Sequence, residues 1–239
     1  MPTYPGEIDN FQDLLNAFEW VRNLGPVKAI SGGPHSVGTT LETLLNHPLD
    51  ADTASDFGFT EIKAQRHGTS SPTTLFTKEP TYNQGWSMGR IVREHGYIDS
   101  EGCKALRINL YTHENHGLQL NAEGDYLILH SVKLDEEIGF WQMDDFEAGL
   151  SKISDICYIT ADVNFDADGD ETFHYQSFSR IKLPEDFNAD SFLNLIHEGS
   201  ISIEIRTYIR HTGKVRNHGT AFRSPNIYGI SLYDWENLL

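Results

Sequence analysis

Cysteine is scarce. The chain of 239 residues has two, Cys103 and Cys157, far apart and in apolar surroundings. That spacing excludes a disulfide scaffold and a zinc knuckle, and both thiols are expected as reduced core residues. Long apolar runs are missing as well: no stretch nears the roughly 18 uninterrupted apolar residues of a membrane span. The opening MPTYPGEIDN has neither a basic region nor an apolar signal core, so the expectation is a cytoplasmic protein without membrane contact. No internal repeat, low-complexity tract or Pro- or Ser-rich hinge divides the sequence. What is present, 38% hydrophobic and 11% aromatic residues, suffices for one large domain or two small ones.

Positive charge is the other shortage. Lys and Arg number 18 against 35 Asp and Glu, a net charge of −17, and the sum argues against a nucleic-acid partner. The distribution argues the other way. Residues 135–171 hold twelve acids and one base, Lys152, whereas residues 205–233 hold Arg206, Arg210, Lys214, Arg216 and Arg223 and no acid. Such polarity permits an anion-binding face on an acidic body, with nucleic acid one candidate partner.

Apolar spacing predicts a helix over IDNFQDLLNAFEWVRNLGP, capped by Asn10 and stopped at Gly25-Pro26, and a second short helix over TTLETLLN. The pattern then turns to strands at ALRINLY, GDYLILHSVK and ISDICYITADV, the first two joined by a turn-rich connection ending in NAEGD. A helix is expected near DDFEAGLSKI, another over NADSFLNLIHEG, then a strand ISIEIRTYIR, a turn at HTGK and a last strand YGISLYDW. The class is α/β or α+β in one domain, with room for two lobes built from interleaved segments.

SDFGFTEIKAQRHG places Asp56, Glu61 and Lys63 close together in sequence. Residues two apart share a strand face, so Glu61 and Lys63 pair, while Asp56 has the opposite parity. Gly58 is the residue that permits a bend bringing Asp56 round. Converging carboxylates call for a cation between them, and oxygen ligands of this kind suit Mg²⁺. Taken alone, D-x4-E-x-K is also what the solvent face of an ordinary strand looks like.

With its context the segment resembles the PD-(D/E)xK nucleases, and within them the MutH-like branch that includes the MvaI/BcnI restriction endonucleases. The resemblance rests on VGTTLETLLN, SDFGFTEIK, GTSSPTTLFTKEP, FLNLIHEGSISIEIR and RNHGTAFR in order. It implies a restriction-endonuclease-like mixed β-sheet flanked by helices, in two lobes around a DNA-binding cleft. The catalytic lobe would span about 28–135 and the recognition lobe mainly about 172–235. It further implies that Asp56 and Glu61 bind Mg²⁺, that Lys63 assists the nucleophile and that Glu42 completes the acidic cluster. Thr39-x-x-Glu42 also fits a capping box, so Glu42 has a purely structural alternative. Ser55 stands where the motif name has proline.

RHTGKVRNHGTAFR gathers Arg210, Lys214, Arg216, His218 and Arg223 around a hairpin turn. Arginine donates two hydrogen bonds to a guanine edge and histidine one. By the resemblance Arg216, His218 and Arg223 read bases, and Lys214 holds phosphate. His67 with its polar loop is a further DNA contact, and Lys78, Arg90 and Arg93 are phosphate contacts. DVNFDADGDE from Asp162 mimics the start of a calcium loop, but the closing position of the twelve-residue loop is Tyr175 where a glutamate is needed, and HENH at 113–116 lacks a third zinc ligand. The expectation is a Mg²⁺-dependent, sequence-specific type II restriction endonuclease. It would act on double-stranded DNA as a monomer, its cognate DNA methyltransferase encoded nearby. A MutH-like nicking enzyme and a non-catalytic DNA-binding or interaction protein are the alternatives.

Overall fold

The structure, a computed structural model, describes residues 1–47, 55–225, 227 and 234–239. It divides into two compact units, each discontinuous in sequence: unit 1 is Met1–Ser71, Lys152–Glu185 and Tyr228–Leu239, and unit 2 is Pro72–Ser151 and Asp186–Ile227.

In unit 1 the chain forms α1 (Phe11–Asn23), β1 (Val27–Lys28), α2 (Ser36–Leu44) and β2 (Glu61–Arg66). It then enters unit 2 for β3 (Thr73–Thr77), β4 (Thr81–Tyr82), α3 (Met88–His95), β5 (Tyr97–Ile98) and β6 (Lys104–Leu110). There follow β7 (Leu118–Glu123), β8 (Tyr126–Ser131), β9 (Glu136–Gln142), a 3₁₀ turn (Met143–Phe146) and α4 (Glu147–Lys152). Unit 1 resumes at Lys152, the last residue of α4, with β10 (Asp155–Phe165) and β11 (Glu171–Lys182); unit 2 takes α5 (Ala189–His197), β12 (Ser202–Ile209) and β13 (Val215–Ser224); β14 (Asp234–Asn237) returns to unit 1.

The sheet of unit 1 runs β1-β11-β10-β2, with β14 also on β11. Its pairs are antiparallel except β2 with β10, where Ile156 faces Glu61 and Tyr158 faces Lys63. A parallel pair needs a long crossover; here Pro72–Ser151 of unit 2 lies within it. Leu14, Phe18 and Val21 of α1 and Leu41 and Leu44 of α2 pack with Ile62, Ile159, Phe173 and Phe178 of the sheet, each large apolar side chain worth about 1.5–3 kcal/mol when fully buried. Cys157 belongs to this core, and burial pushes its thiol up to about 12.

Unit 2 carries two sheets, β3-β13-β12-β6-β5 and β4-β9-β8-β7. Phe76, Phe146, Phe192 and Phe222 cluster in its core, with the Phe76 and Phe222 rings stacked at 4.9 Å. The division at about 28–135 and 172–235 cuts across both units, because Pro72–Ser151 folds with Asp186–Ile227. The reason is strand pairing: β6 is hydrogen-bonded to β12, a long-range register that local patterns do not carry.

Asn10 caps α1, accepting from the amides of Gln12 and Asp13, and Gly25 follows at φ 70°. The NAEGD segment ends β7, and its Gly124-Asp125 make the turn of the β7–β8 hairpin, so one strand more than expected separates β6 from β8. The expected strand YGISLYDW lies largely outside the described residues.

Candidate active site and nucleic-acid face

The residues before β2 make the turn that places Asp56. Gly58 sits at φ 73°, a left-handed conformation that costs glycine little. Its amide donates to the Ser55 carbonyl at 3.0 Å, and the Phe57 amide donates to the Thr60 carbonyl at 3.3 Å. The Asp56 carboxylate is thereby folded back onto the strand, where Oδ2 accepts from the Ile62 amide at 2.7 Å. Parity would have separated Asp56 from Glu61 in an unbroken strand; the turn removes that constraint.

Glu61 is 3% exposed. Lys63 Nζ lies 2.5 Å from its Oε1, and Lys152 Nζ lies 3.5 Å from its Oε2. A buried carboxylate is tolerated only where cations and donors answer it. Oε2 is buried and accepts no hydrogen bond, so on that side the charge is answered at a distance.

Glu42, half-buried on α2, shares this field. Burial, and then the Asp56 carboxylate, raise its pKa above the ordinary carboxylate value, with Glu61 adding and His47 and Lys63 opposing. The capping-box alternative fails on position: the cap of α2 is His35, and Thr39 lies inside the helix with its hydroxyl turned to the carbonyls of His35 and Ser36. Among the described residues no three His, Cys, Asp or Glu side chains form a ready metal-holding group, so Glu42 does not close a preformed triad with Asp56 and Glu61. His47, which sequence reasoning missed, places Nε2 against the Asp56 carbonyl and its ring 4.9 Å from that of Phe57.

Past Lys63, Gln65 accepts from the Tyr158 hydroxyl and donates to the Ser71 carbonyl. His67 is exposed and meets Asp162 at 2.8 Å. The calcium-loop mimic is the β10–β11 hairpin turn, in which Asp166 Oδ1 accepts from the amides of Asp168 and Asp170.

In unit 2, β12 and β13 form a hairpin closed at Arg210–Lys214, with Gly213 at φ 79°. Arg210, Lys214, Arg216 and His218 are exposed on it. Arg223 is not among them: it is ion-paired with Glu204 at 2.5 Å and donates to the Pro72 carbonyl. Glu204 also lies 4.0 Å from Arg206. Across the strands Arg206 sits opposite Arg107, and Tyr208 opposite Arg216. The His218 ring lies 6.0 Å from that of Tyr208, over which Arg107 is placed at 5.5 Å. Desolvation, then Arg216, Arg206, Arg107 and Arg210, hold the His218 imidazole below its ordinary pKa. It is therefore neutral at neutral pH, with one ring nitrogen donating and one accepting. Arg107 and Arg206 were not singled out as DNA contacts from the sequence; an exposed arginine inside the apolar run ALRINLY was the available signal for Arg107. Lys78 and Arg90 are engaged within unit 2, with Asp145 at 2.8 Å and with Glu136 at 3.3 Å and the Trp86 ring, respectively.

Among known proteins, residues 15–233 match the MvaI/BcnI restriction endonuclease family. The solved complex of restriction endonuclease MvaI with its cognate DNA substrate is 24% identical, with a TM-score of 0.81, covering 98% of this chain and 100% of that one. MvaI in the absence of DNA gives 24% identity, a TM-score of 0.52 and the same coverage. No curated protein matches the chain at a significant level. The likeness to the solved structures shows the fold, a mixed α+β restriction-endonuclease-like architecture.

Proposed function

Because the chain belongs to the MvaI/BcnI restriction endonuclease family over residues 15–233, and is thus a sequence-specific type II DNA endonuclease, we propose that unit 1 carries its hydrolytic centre and unit 2 its base-reading face. The observation that supports this most directly is the turn at Gly58 that folds the Asp56 carboxylate back onto the Ile62 amide, the residue next to Glu61, which is buried and bonded to Lys63.

Enzymes of this kind generally need a divalent metal, and the residues fit Mg²⁺. Asp56 and Glu61 offer hard carboxylate oxygens, and Glu61 Oε2 is a buried acceptor without a hydrogen bond, the kind of atom a cation satisfies. When bound, the ion polarises the scissile phosphate and lowers the pKa of a bound water. Lys63 orients the attacking oxygen and counters the charge that develops on the phosphate. The Ile62 amide fixes the Asp56 carboxylate, so the donor pair is preorganised by backbone rather than by side-chain packing alone. Glu42, its proton held more tightly than usual, lies within the electrostatic field of Asp56 and Glu61.

On the hairpin of unit 2, Arg216 and His218 face outward as base readers, with Lys214 and Arg210 on phosphate. Arg223 reaches a base only by exchanging its pair with Glu204. His67 contacts DNA near the cut. One centre per chain supports a monomer that acts on the strands in turn. We place the protein in the cytoplasm, beside a cognate methyltransferase encoded nearby. Digestion of DNA of known sequence with Mg²⁺, the ends mapped by sequencing, tests the reading. Double-strand cuts at one short sequence, abolished by Glu61→Ala, are expected; cutting by Glu61→Ala at the wild-type rate would overturn the site.

A further inference from the structure

The segment 135–171 holds twelve acids and a single base, and that base points at the catalytic carboxylate. Lys152 ends α4 and is followed by Ile153, which is fully buried. Two residues on, the Ser154 carbonyl accepts from the Leu183 amide at 2.9 Å, and from Ile156 the chain runs parallel to β2 in register with Glu61. The backbone that carries Lys152 is thus fixed by sheet pairing and core burial.

The two lysines serve the two oxygens of Glu61 differently. Lys63 bonds Oε1 at 2.5 Å, while Lys152 stands 3.5 Å from Oε2, an oxygen that is buried and accepts no hydrogen bond. Lys152 therefore answers the charge of Oε2 without hydrogen-bonding it, and an ion that reaches this oxygen takes no hydrogen bond away from it.

We propose that Lys152 is a positioning residue that occupies the cation position beside Glu61 Oε2 in the metal-free protein and is exchanged for the divalent ion when the site loads. The inference rests on Glu61 being a metal ligand. Lys152 then keeps the buried carboxylate compensated between turnovers and competes with the ion, setting the metal concentration at which the site fills.

The test is Mn²⁺ binding to the full chain without DNA, followed by the electron paramagnetic resonance signal of the free ion. Lys152→Met is expected to bind Mn²⁺ about fivefold more tightly than wild type, the loss of one partly screened charge pair. Lys152→Arg, which keeps the charge, is expected to stay within about twofold of wild type. In thermal unfolding with EDTA, Lys152→Met should melt below wild type, and added Mn²⁺ should narrow the gap. Equal or weaker Mn²⁺ binding by a folded Lys152→Met overturns the proposal. Should that variant not fold, the milder Lys152→Gln carries the same expectation and the same refutation. Glu61→Gln separates the two layers: if it binds Mn²⁺ as wild type does, the metal site itself is misassigned.

Discussion

Each unit sets one carboxylate between two cations on a β-sheet. In unit 1 the Glu61 side chain is 4% exposed, between Lys63 and Lys152. In unit 2 the Glu204 side chain is 21% exposed, between Arg206 and Arg223. The surroundings differ in kind. Glu61 has Glu42 and Asp56 as acidic neighbours in a common field, whereas Arg107, Arg206, Arg210 and Arg216 bear on His218. The first arrangement is a buried acid kept in balance by compact ammonium groups; the second is a surplus of planar guanidinium groups on a sheet. Chemistry on a phosphodiester calls for the former, and reading base edges calls for the latter.

The contrast is broken most completely at its acidic pole. Glu61→Ala should lower single-turnover cleavage by about a thousandfold or more, while DNA binding and circular dichroism stay close to wild type. A smaller loss is expected at the basic pole. Arg216→Ala should cost about 1–3 kcal/mol of binding and relax choice at one base pair. Lys214→Ala should instead weaken all sequences alike and reduce the salt slope by about one. Equal behaviour of the two variants across a set of single-mismatch sites would remove the distinction between reader and phosphate contact.

Gly58→Ala probes the turn that unites the acidic pole. At φ 73° an added Cβ should cost about 1–2 kcal/mol of stability. Because that turn aims Asp56, the cleavage rate should fall further than the melting temperature alone implies. The smallest effect concerns His218. Desolvation and then the surrounding arginines lower the pKa of its imidazole, so protonation comes below the ordinary histidine value and adds a positive charge to the face. Metal-free DNA affinity should therefore rise by about threefold as the pH falls through that region, and His218→Asn should flatten the rise.

The local geometry of the candidate motif was legible because its parts are close in sequence. Glu61 and Lys63 share a face by strand parity, and Gly58 is the residue type that a turn at that point requires. Helix α1 was legible for the same reason, with Asn10 as cap and Gly25 as stop. Helix α2 begins a turn earlier than its apolar stripe suggests, because His35 caps it without a side-chain hydrogen bond and leaves no signature. Lys152 was noticed only as the lone base of an acidic segment. Its partner is set by the parallel register of β2 and β10, which no local pattern encodes. Arg223 was grouped with Arg216 by the resemblance, and in the structure, on β13 between β12 and β3, it is engaged with Glu204 and Pro72. The same long-range pairing set the unit boundaries.

The parallel pair β2·β10 encloses Pro72–Ser151 of unit 2, and this order has a consequence for biosynthesis. A ribosome adding about 5–20 residues per second delivers Asp56, Glu61 and Lys63 several seconds before it delivers β10. Until then β2 lacks its parallel neighbour and Glu61 lacks Lys152. A nascent or prematurely terminated chain therefore carries the letters of a nuclease without its geometry, and the hazard to the host's own DNA begins only late in translation.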